Sequence, residues 1–293
     1  MVDRRVLTRL LEVHDLPTLP AVITRILDMV ADENSSAADL TGVLEQDHAI
    51  SARLLRLANS AFYGLRHRVE SLRRAVVVLG FNEVRQLALA TSVFDNLSKR
   101  KQFAFDPEDF WMHALGAARA AQILADRHCR TASHEGCFTA GLLHDIGKYV
   151  LALVLQKEYQ DIVNEAQASG RLLREVEFEK IGTTHARIGR WIAEKWRFPF
   201  FITNAIGNMY RVTTYYEPDR PAVAVVALAD QLSRHAHFGY AGDGECFRPE
   251  SELLSVLGVG SEEFDHLAAE LEALRDEAAS FLRILDQKEE QRK

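Results

Sequence analysis

The chain has 293 residues, of which 47% are hydrophobic and 26% charged, a balance that excludes wholesale disorder and allows about two domains. Its 35 Lys and Arg residues against 42 Asp and Glu residues give a net charge of -7, which argues against a polyanion-binding surface over the whole chain. The longest apolar runs, Ala75–Leu79 and Pro221–Ala229, are shorter than the roughly 18 residues of a membrane span, so we expect no membrane partner.

The N-terminal sequence MVDRRVLTRL lacks the apolar stretch and the small-residue cleavage site of a secretory signal. The three cysteines, Cys129, Cys137 and Cys246, form no CxxC motif and leave one thiol unpaired in any bridging scheme. Both features indicate a reduced compartment, and we expect a cytoplasmic protein.

Prolines are sparse: none lies between Pro20 and Pro107 or between Pro107 and Pro199, so long helices are permitted in both intervals. Ser36 followed by Asp39 resembles a capping box at a helix start. Apolar residues then recur at helical spacing, at Leu40, Val43, Leu44, Ile50, Leu54, Leu57, Val84, Leu87 and Phe94. The sequence therefore predicts an all-α fold.

Two segments have a composition that strands share. AVVVL at 75–79 is short and leads into Gly80 rather than into a hairpin turn, and AVAVVALAD at 222–230 is rich in alanine. We interpret the second segment as a buried helix.

The best-marked helix start is Asp106-Pro107, an N-cap aspartate followed by proline at the first helical position. Phe105 and Phe110 occupy the two positions of a hydrophobic staple. The polar stretch 98–102 just before this start is the predicted boundary between two helical parts. The predicted segments are 1–105, 106–260 and a C-terminal amphipathic helix over 261–293.

The tail from Ser261 predicts one charged helix with an apolar seam at spacings of three and four residues. The seam consists of Leu267, Leu271, Leu274, Ala278, Phe281 and Leu285. We favour packing of this seam against its own domain, because two to three heptads are short for a coiled coil. The alternative is contact with a partner helix, which would make a homo-oligomer through the C-terminal helix.

An adjacent histidine and aspartate, His144 and Asp145, follow an apolar helix face in GLLHDIGK. Burying both groups costs several kcal/mol unless they are paired or bind a metal. From these eight residues alone, a coordinated cation and a hydrogen-bonded pair without an ion are equally good interpretations.

The octapeptide GLLHDIGK resembles the signature of the HD superfamily of metal-dependent phosphohydrolases. The chain is also similar to that superfamily at an upstream histidine, His113 in FWMHALGAARAA, and at a downstream aspartate, Asp230 in VVALADQLSR. The stretches LRLANSAFYG, AVVVLGFNEVRQLALA and THARIGRWIAEKWRF resemble the HDOD domain, the HD-related output domain of bacterial signalling proteins, over roughly Leu16 to Tyr240. This resemblance implies a helical N-terminal half packed on an HD-type helical bundle.

The resemblance also implies a metal site built from four side chains. The implied ligands are His113, His144, Asp145 and Asp230. Two imidazoles and two carboxylates suit one divalent ion of Mn, Fe, Zn or Mg. In an active enzyme the catalytic candidates are Asp145 and Lys148, the latter by pairing with a phosphate; a solvent-facing lysine is the interpretation we favour for Lys148.

His185 matches a further histidine that the HD-GYP branch of the superfamily uses around a second metal. Where that branch has a His-His pair after the Ala-Ile, this chain has AIGNMY, with Met209 and Tyr210 at those positions. A thioether and a neutral phenol are poor ligands for hard ions, so we expect one ion at most.

The favoured function is a regulatory module of bacterial signal transduction that acts through a signalling protein partner and has a retained or vestigial metal site. The alternative is an active metal-dependent phosphohydrolase on a nucleotide or phosphoester. Nucleic-acid binding is disfavoured, because the candidate basic residues are scattered in an acidic chain. Those residues are Arg66, His67, Arg68, Arg73, Arg74 and residues 99–101.

Overall fold

The computed structural model of the chain describes residues 6, 8–9, 21–30, 35–97, 104–129, 136–242 and 249–286. Across these ranges the regular elements are helices and none is a strand, which confirms the predicted all-α fold. The predicted boundary at 98–102 and the third cysteine, Cys246, lie outside the described residues.

The α-helices follow one another along the chain and are numbered in that order. They are α1 (Ala21–Val30), α2 (Ala37–Leu44), α3 (His48–Ala58), α4 (Leu72–Leu79), α5 (Phe81–Leu97), α6 (Pro107–His128), α7 (Cys137–Leu143), α8 (Ile146–Leu155), α9 (Lys157–Ser169), α10 (Leu173–Ile181), α11 (His185–Lys195), α12 (Phe200–Asn208), α13 (Arg220–His235), α14 (Ser251–Leu257), α15 (Ser261–Glu272) and α16 (Arg275–Asp286). A 3-10 helix over Met209–Thr214 follows α12.

The local signals in the sequence act as predicted. The Ser36 side chain accepts a hydrogen bond from the Asp39 backbone N–H, and the Asp39 carboxylate accepts one from the Ser36 backbone N–H, which completes a capping box at the start of α2. The AVVVL run belongs to α4, and 222–230 lies in α13 with all of its residues buried.

The chain groups into two compact units. The first contains the described residues among the first sixteen and within Arg100–Ala273, and it includes helices α6 to α15. The second contains the described residues within Pro17–Lys99 and from Leu274 onward, and it includes α1 to α5 and α16. All residues implicated in a metal site lie in the first unit. The predicted segment limits at 105 and 260 stay predictions.

The predicted single tail helix is wrong: the segment forms two helices, α15 and α16, with a turn at Ala273 and Leu274. The break separates seam residues that are buried in different units, Leu267 and Leu271 in the first and Phe281 in the second. The Phe281 ring lies 5.0 Å from the ring of Phe62, centroid to centroid. The buried seam agrees with packing inside the chain; the homo-oligomer stays a prediction.

One stretch, Cys137–Leu155, has the length and apolar composition of a membrane span, and 89% of its apolar window is buried inside the protein. The core helices of water-soluble proteins have the same character. The stretch is also interrupted by His144 and Asp145 between α7 and α8. Its apolar residues therefore face other helices of the first unit. Cys129 and Cys137 are buried and form no disulfide among the described residues, and the cytoplasmic location stays a prediction.

Candidate metal centre

Helix α6 presents His113, which is 1% exposed, to the interior of the first unit. The helix begins where predicted, because the Asp106 carboxylate accepts hydrogen bonds from two backbone N–H groups of the first turn and Pro107 fits the first helical position. The predicted staple is also formed, with the rings of Phe105 and Phe110 stacked at 6.1 Å. These local contacts fix the start of the helix that carries the first histidine.

His144 and Asp145 form the short break between α7 and α8. The two flanking helices approach their neighbours so closely that glycine is required on both sides. A Cβ atom on Gly141 would lie 2.7 Å from a backbone carbonyl oxygen of α6, and one on Gly147 would lie 1.8 Å from the carbonyl oxygen of His185 on α11. The glycines of GLLHDIGK therefore bring the histidine-aspartate pair next to α6 and α11.

Asp230 comes from α13 and is 1% exposed. One turn later, Arg234 contacts both of its oxygens: the Arg234 Nε donates to Oδ1 at 3.0 Å and Nη2 donates to Oδ2 at 2.7 Å. This two-point geometry orients the carboxylate as well as neutralising it.

The four residues implied by the resemblance converge on one point. His113 Nε2 lies 3.1 Å from His144 Nε2 and 3.2 Å from Asp230 Oδ1. His144 Nε2 lies 3.3 Å from Asp145 Oδ2 and 3.5 Å from Asp230 Oδ1. Asp145 Oδ2 is 3.6 Å from His113 Nε2. The described His113, His144 and Asp230 form a group that could hold a metal ion, and Asp145 lies outside that group but next to it, with Oδ2 3.3 Å from His144 Nε2.

The hydrogen bonds of the two Nδ1 atoms determine whether each Nε2 atom, which faces the other residues of the four, carries a lone pair. His144 Nδ1 donates to the carbonyl oxygen of Gly141 at 2.6 Å. The Ser233 hydroxyl donates to the backbone carbonyl of His113, so its oxygen is left to accept from His113 Nδ1 at 3.3 Å. Both Nδ1 atoms are thus donors, and in the neutral rings both Nε2 atoms are acceptors.

We call His113, His144, Asp145 and Asp230 the quartet. Its electrostatics favour ionised carboxylates around a cation. Burial opposes ionisation of Asp145, but His144 and Lys148 outweigh it and hold the pKa of that carboxyl well below its usual range. Burial likewise opposes ionisation of Asp230, and Arg234 with the two histidines lowers its pKa well below normal.

The pKa values of the two histidines are shifted in opposite directions. Burial lowers the pKa of His113 below its ordinary value. Burial also acts to lower the pKa of His144, but Asp145 first and then Asp230 outweigh it and raise the pKa of His144 to about 10. Without a metal ion, a proton on His144 occupies the space between the two carboxylates.

Lys148 is fully buried, so the favoured interpretation of a solvent-facing lysine is wrong. Its Nζ donates to Asp145 Oδ2 at 2.7 Å, because the i, i+3 spacing places the ammonium directly above the carboxylate in the first turn of α8. The other oxygen, Asp145 Oδ1, is buried and accepts no hydrogen bond from the described residues. Lys148 therefore compensates the charge of Asp145.

His185 lies beside the quartet, with Nε2 3.6 Å from Asp145 Oδ1. Its Nδ1 donates to Glu177 Oε2 at 2.7 Å, and its Nε2 is 2.9 Å from the hydroxyl of Tyr210, which donates to it. Glu177 also accepts from the His185 backbone N–H and from the Tyr159 hydroxyl. Both ring nitrogens of His185 thus have protein partners, and Tyr210 supplies one of them.

A cavity of about 360 Å³ opens next to Asp230. The residues that line it include the cationic Arg174 and Arg234 and the apolar Leu172 and Leu253. Of the four quartet residues, Asp230 is the one that lines the cavity.

A comparison with known families matches the HDOD domain over residues 16–212. The chain belongs to the HDOD family. The match includes His113, His144 and Asp145, and helices α1 to α12, which come from both units, lie within it.

Several solved structures have a similar fold. The HDOD protein is similar to an HDOD domain protein of unknown function from Geobacter sulfurreducens, with a TM-score of 0.79, 25% identity and coverage of 97% of this chain and 99% of the other. It is similar to a protein described as a proposed phosphohydrolase from Shewanella amazonensis SB2B, with a TM-score of 0.75, 27% identity and coverage of 97% and 98%. It is also similar to a protein described as a proposed signal transduction protein from Marinobacter aquaeolei VT8, with a TM-score of 0.79 and 27% identity. That match covers 93% of this chain and 60% of the other.

The HDOD protein is also 25% identical over 263 residues to an uncharacterized protein of Treponema pallidum. This match covers 86% of the chain and 48% of that relative, so the chain spans about half the length of the relative. A second relative, YuxH of Bacillus subtilis, matches over 31% of the chain and 22% of its own length.

Sequence reasoning on the HDOD protein missed two residues that contact the site. Arg234 follows Asp230 by four positions, a spacing that predicts an ion pair on a helix and could have identified it. Glu177 contacts His185 from α10, eight residues earlier in the chain, and no local pattern indicates that contact.

Proposed function

We propose that this HDOD protein is a regulatory module of bacterial signal transduction that holds one divalent metal ion at its HD quartet. One observation carries the metal part: His113 Nε2 and His144 Nε2 lie 3.1 Å apart in a buried site while both Nδ1 atoms donate elsewhere. Two lone pairs at that distance repel each other unless a proton or a cation lies between them.

The spacing of the donor atoms fits one ion. With metal–ligand bonds of about 2.1 Å, neighbouring donors lie about 3.0 Å apart in octahedral geometry and about 3.4 Å apart in tetrahedral geometry. The two histidine nitrogens lie 3.1 Å apart, and their distances to Asp145 Oδ2 and Asp230 Oδ1 run from 3.2 to 3.6 Å. The carboxylates are already ionised and clamped by Lys148 and Arg234, so they are prepared as ligands.

The chemistry of the donors narrows the identity of the ion. Two imidazole nitrogens and two carboxylate oxygens, with no thiolate, suit Mn, Fe, Zn or Mg. His185 adds no further ligand in this proposal, because Tyr210 and Glu177 engage both of its nitrogens. When bound, such an ion supplies a Lewis acid and lowers the pKa of water.

The regulatory part of the proposal is supported by the family and by the second unit. The HDOD match includes helices α1 to α5 of that unit, and one similar structure is described as a proposed signal transduction protein. On α4 of that unit, Val77 is 67% exposed and the adjacent Val78 is 41% exposed. Exposed apolar neighbours of this kind suit contact with a signalling protein partner. We retain the cytoplasm as the proposed location.

The second candidate is a metal-dependent phosphohydrolase that acts on a nucleotide or phosphoester. The cavity at Asp230 favours it, because a substrate there could reach the quartet. In this candidate Asp145 is essential as a metal ligand, and Lys148, paired with Asp145, positions that carboxylate rather than contacting a phosphate.

Metal content tests the first proposal. The protein is stripped with a chelator and titrated separately with Mn²⁺, Fe²⁺, Zn²⁺ and Mg²⁺ while the bound ion is counted by elemental analysis. We expect one ion per chain, loss of the ion in His144→Ala and no change in His67→Ala, which removes an exposed histidine. A wild-type protein that takes up none of the four ions contradicts the metal site.

A panel of phosphodiester and nucleotide substrates with added Mn²⁺ separates the two candidates. A loaded but inert protein supports the regulatory module. Turnover that Asp145→Ala abolishes, and that His67→Ala leaves intact, supports the phosphohydrolase.

A further inference from the structure

We propose that the outward face of α4 binds an acidic amphipathic helix of the signalling partner. The inference rests on the proposed regulatory function and names the chemistry of the partner that this function requires. Four residues form the face, which we call the α4 surface: Arg73, Arg74, Val77 and Val78. Its support is the exposure of the valines, the position of the arginines and the charge of the loop that precedes the helix.

The α4 surface combines basic and apolar side chains on one side of a two-turn helix. Arg73 and Val77 are four residues apart, as are Arg74 and Val78, so each pair lies on the same side of the helix. All four residues are exposed to solvent. The other side of α4 is buried and packs against α2, α3 and α5. The exposed valines are therefore not part of the core of the second unit.

The two arginines of the α4 surface oppose the helix dipole. They lie in the first turn of α4, which contains no acidic residue. The N-terminal end of a helix carries a partial positive charge, so cations there are unfavourable. Neither guanidinium forms an ion pair with a described residue, and the Arg74 backbone N–H donates to the hydroxyl of Ser71, a neutral cap. A carboxylate of a partner would be attracted both by the arginines and by the dipole.

The valines are also a poor choice for helix stability, because a β-branched side chain loses rotamer freedom in a helix and gains nothing from packing when it is exposed. All four residues of the α4 surface thus contradict the local preferences of a helix. Such contradictions are expected at functional sites. A partner that covers the valines and pairs with the arginines would compensate for both.

The loop before α4 adds two more exposed arginines, Arg66 and Arg68, neither of which forms an ion pair with a described residue. Asn59, at the end of α3, holds this loop at two points. Its side-chain amide donates to the Val69 carbonyl oxygen at 2.7 Å, and its side-chain oxygen accepts from the Val69 N–H at 2.7 Å. From this loop to the end of α4, four arginines accompany one acidic residue, Glu70, in a chain of net charge -7. The local positive charge attracts acidic partners and disfavours basic ones.

The valines distinguish among the anionic partners that arginines attract. A nucleic acid would contact the arginines through its phosphates and leave the valines exposed. Proteins that lie on anionic membranes are anchored by tryptophan and tyrosine side chains, which the α4 surface lacks. A helix with a row of leucines between glutamates covers the valines and pairs with the arginines together.

Three synthetic helical peptides test the proposal by calorimetry on the full chain. The first has leucines along one face with glutamates on both sides, the second has lysines in place of the glutamates, and the third has serines in place of the leucines. We expect saturable binding of the first, no measurable binding of the second, and binding of the third that is weaker by about tenfold or more. Added salt should weaken the binding of the first, because exposed charges are screened. No binding of the first peptide, or equal binding of the first and third, overturns the proposal.

Substitutions locate the binding site of the first peptide. Arg73→Gln should weaken binding by about threefold or more through loss of a charge, and Val77→Ser by a similar factor through loss of apolar contact. Arg73→Gln should not lower the melting temperature, because it removes an unfavourable cation from the first turn. The matched controls are Arg211→Gln and Phe200→Ser, both at exposed positions of the first unit, and both should bind as wild type does. Wild-type affinity in both α4 variants, or an equal loss in the controls, contradicts the proposed site.

Duplex DNA and phosphatidylglycerol vesicles are titrated against the same protein at the same salt concentration. We expect both to bind more weakly than the first peptide. Tighter binding of the DNA would identify a nucleic-acid surface, and tighter binding of the vesicles would identify a membrane surface. Either result overturns the proposal.

A photoreactive cross-linker, introduced as Val77→benzoylphenylalanine, tests the contact in the native host cells, and mass spectrometry sequences the cross-linked segment. An acidic amphipathic segment supports the inference. A protein segment without acidic residues overturns the inference and leaves the regulatory function in place. Absence of any cross-linked protein also overturns the inference, whereas turnover in the substrate panel overturns the regulatory function, so the two failures are distinguishable.

Discussion

Each carboxylate of the quartet has its own basic partner, and these pairs decide how the centre responds to changes at single residues. Lys148 is buried against Asp145 at 2.7 Å, and Arg234 contacts both oxygens of Asp230. A buried ion pair costs desolvation of both groups, so its removal from one side leaves an uncompensated charge. The pairs therefore stabilise the centre when no metal is present.

Lys148→Met tests this dependence in the metal-free protein. Loss of the ammonium leaves the buried Asp145 carboxylate facing fewer cations, and we expect the free energy of unfolding to fall by about 3–5 kcal/mol. Urea denaturation measures the change. The control is Lys180→Met, which breaks the half-exposed pair with Glu165 and should lower the free energy of unfolding far less, because solvent screens a surface ion pair. Equal effects of the two substitutions would contradict the role given to Lys148.

Proton release on metal binding follows from the raised pKa of His144, which is about 10. Below that pH the imidazole is charged in the metal-free protein, and an ion must displace its proton. At pH 7.5 we expect about one proton released per Mn²⁺, and an apparent affinity that rises by about tenfold per pH unit. Calorimetry in two buffers of different ionisation enthalpy measures the release, with His67→Ala as the control; identical enthalpies in both buffers would refute it.

The same proton affects the stability of the metal-free fold. The pKa of His144 rises from an ordinary 6.5 to about 10, so the stabilisation by the proton is complete below pH 6.5. It is lost as the pH rises through about 10. Metal binding and proton binding thus replace each other at one site.

The quartet could be predicted from sequence because its motif is specific, but the environment of each residue could not. Lys148 follows a glycine in a short motif, and its burial depends on the packing of α8 in the tertiary fold, where α11, nearly forty residues later, contacts the adjacent Gly147. The hydrogen bond from Tyr210 to His185 likewise depends on two elements that only the tertiary fold brings together. Residue types and spacing indicate the donors, whereas burial decides their charges.

At the scale of elements, the closeness of α8 to α11 is what places Asp145 next to His185. The Gly147 backbone leaves no room for a side chain, since a Cβ atom would lie 1.8 Å from the His185 carbonyl oxygen. Any substitution there must push the two helices apart. Because the ligand pair directly precedes α8, the displacement would reach the quartet.

Gly147→Ala should therefore destabilise the protein by about 3 kcal/mol, the upper end of the cost of overpacking, and should weaken Mn²⁺ binding. Gly42→Ala is the matched control in α2, where an added Cβ meets nothing within 4 Å. That control should gain about 0.5–1 kcal/mol, because alanine loses less backbone entropy than glycine in a helix. Urea denaturation and metal titration are carried out on both variants. A Gly147→Ala protein with unchanged stability and Mn²⁺ affinity would show that the two helices can separate without loss of either.

The break between the two C-terminal helices, α15 and α16, could not be predicted from the sequence. The seam spacing predicted helix correctly on both sides of Leu274, because apolar residues at every third or fourth position fit either one helix or two. No proline or glycine marks the turn at 273–274. The break depends on which unit buries each half of the seam, and that information is not local.

At the scale of the whole molecule, all four quartet residues belong to the first unit, and the second unit contributes none of them. A ligand that binds only the native state stabilises it by about 2.7 kcal/mol at a hundredfold excess over its dissociation constant. That stabilisation acts on whatever part of the structure must open to release the ion. Metal binding can therefore report whether the two units open separately.

Hydrogen exchange with and without Mn²⁺ measures this directly. If the first unit opens separately, amides of α6, α7, α8 and α13 should exchange about a hundredfold more slowly at a hundredfold excess of the ion, while those of α3 and α5 stay unchanged. His144→Ala should show no effect of Mn²⁺ in any helix, because the quartet is incomplete. Equal protection of α3 and α5 in the wild-type protein would instead mean that the metal stabilises both units as one cooperative structure. A regulatory signal at the quartet would then affect the exposed valines of α4 by changing the free energy of unfolding of the whole protein.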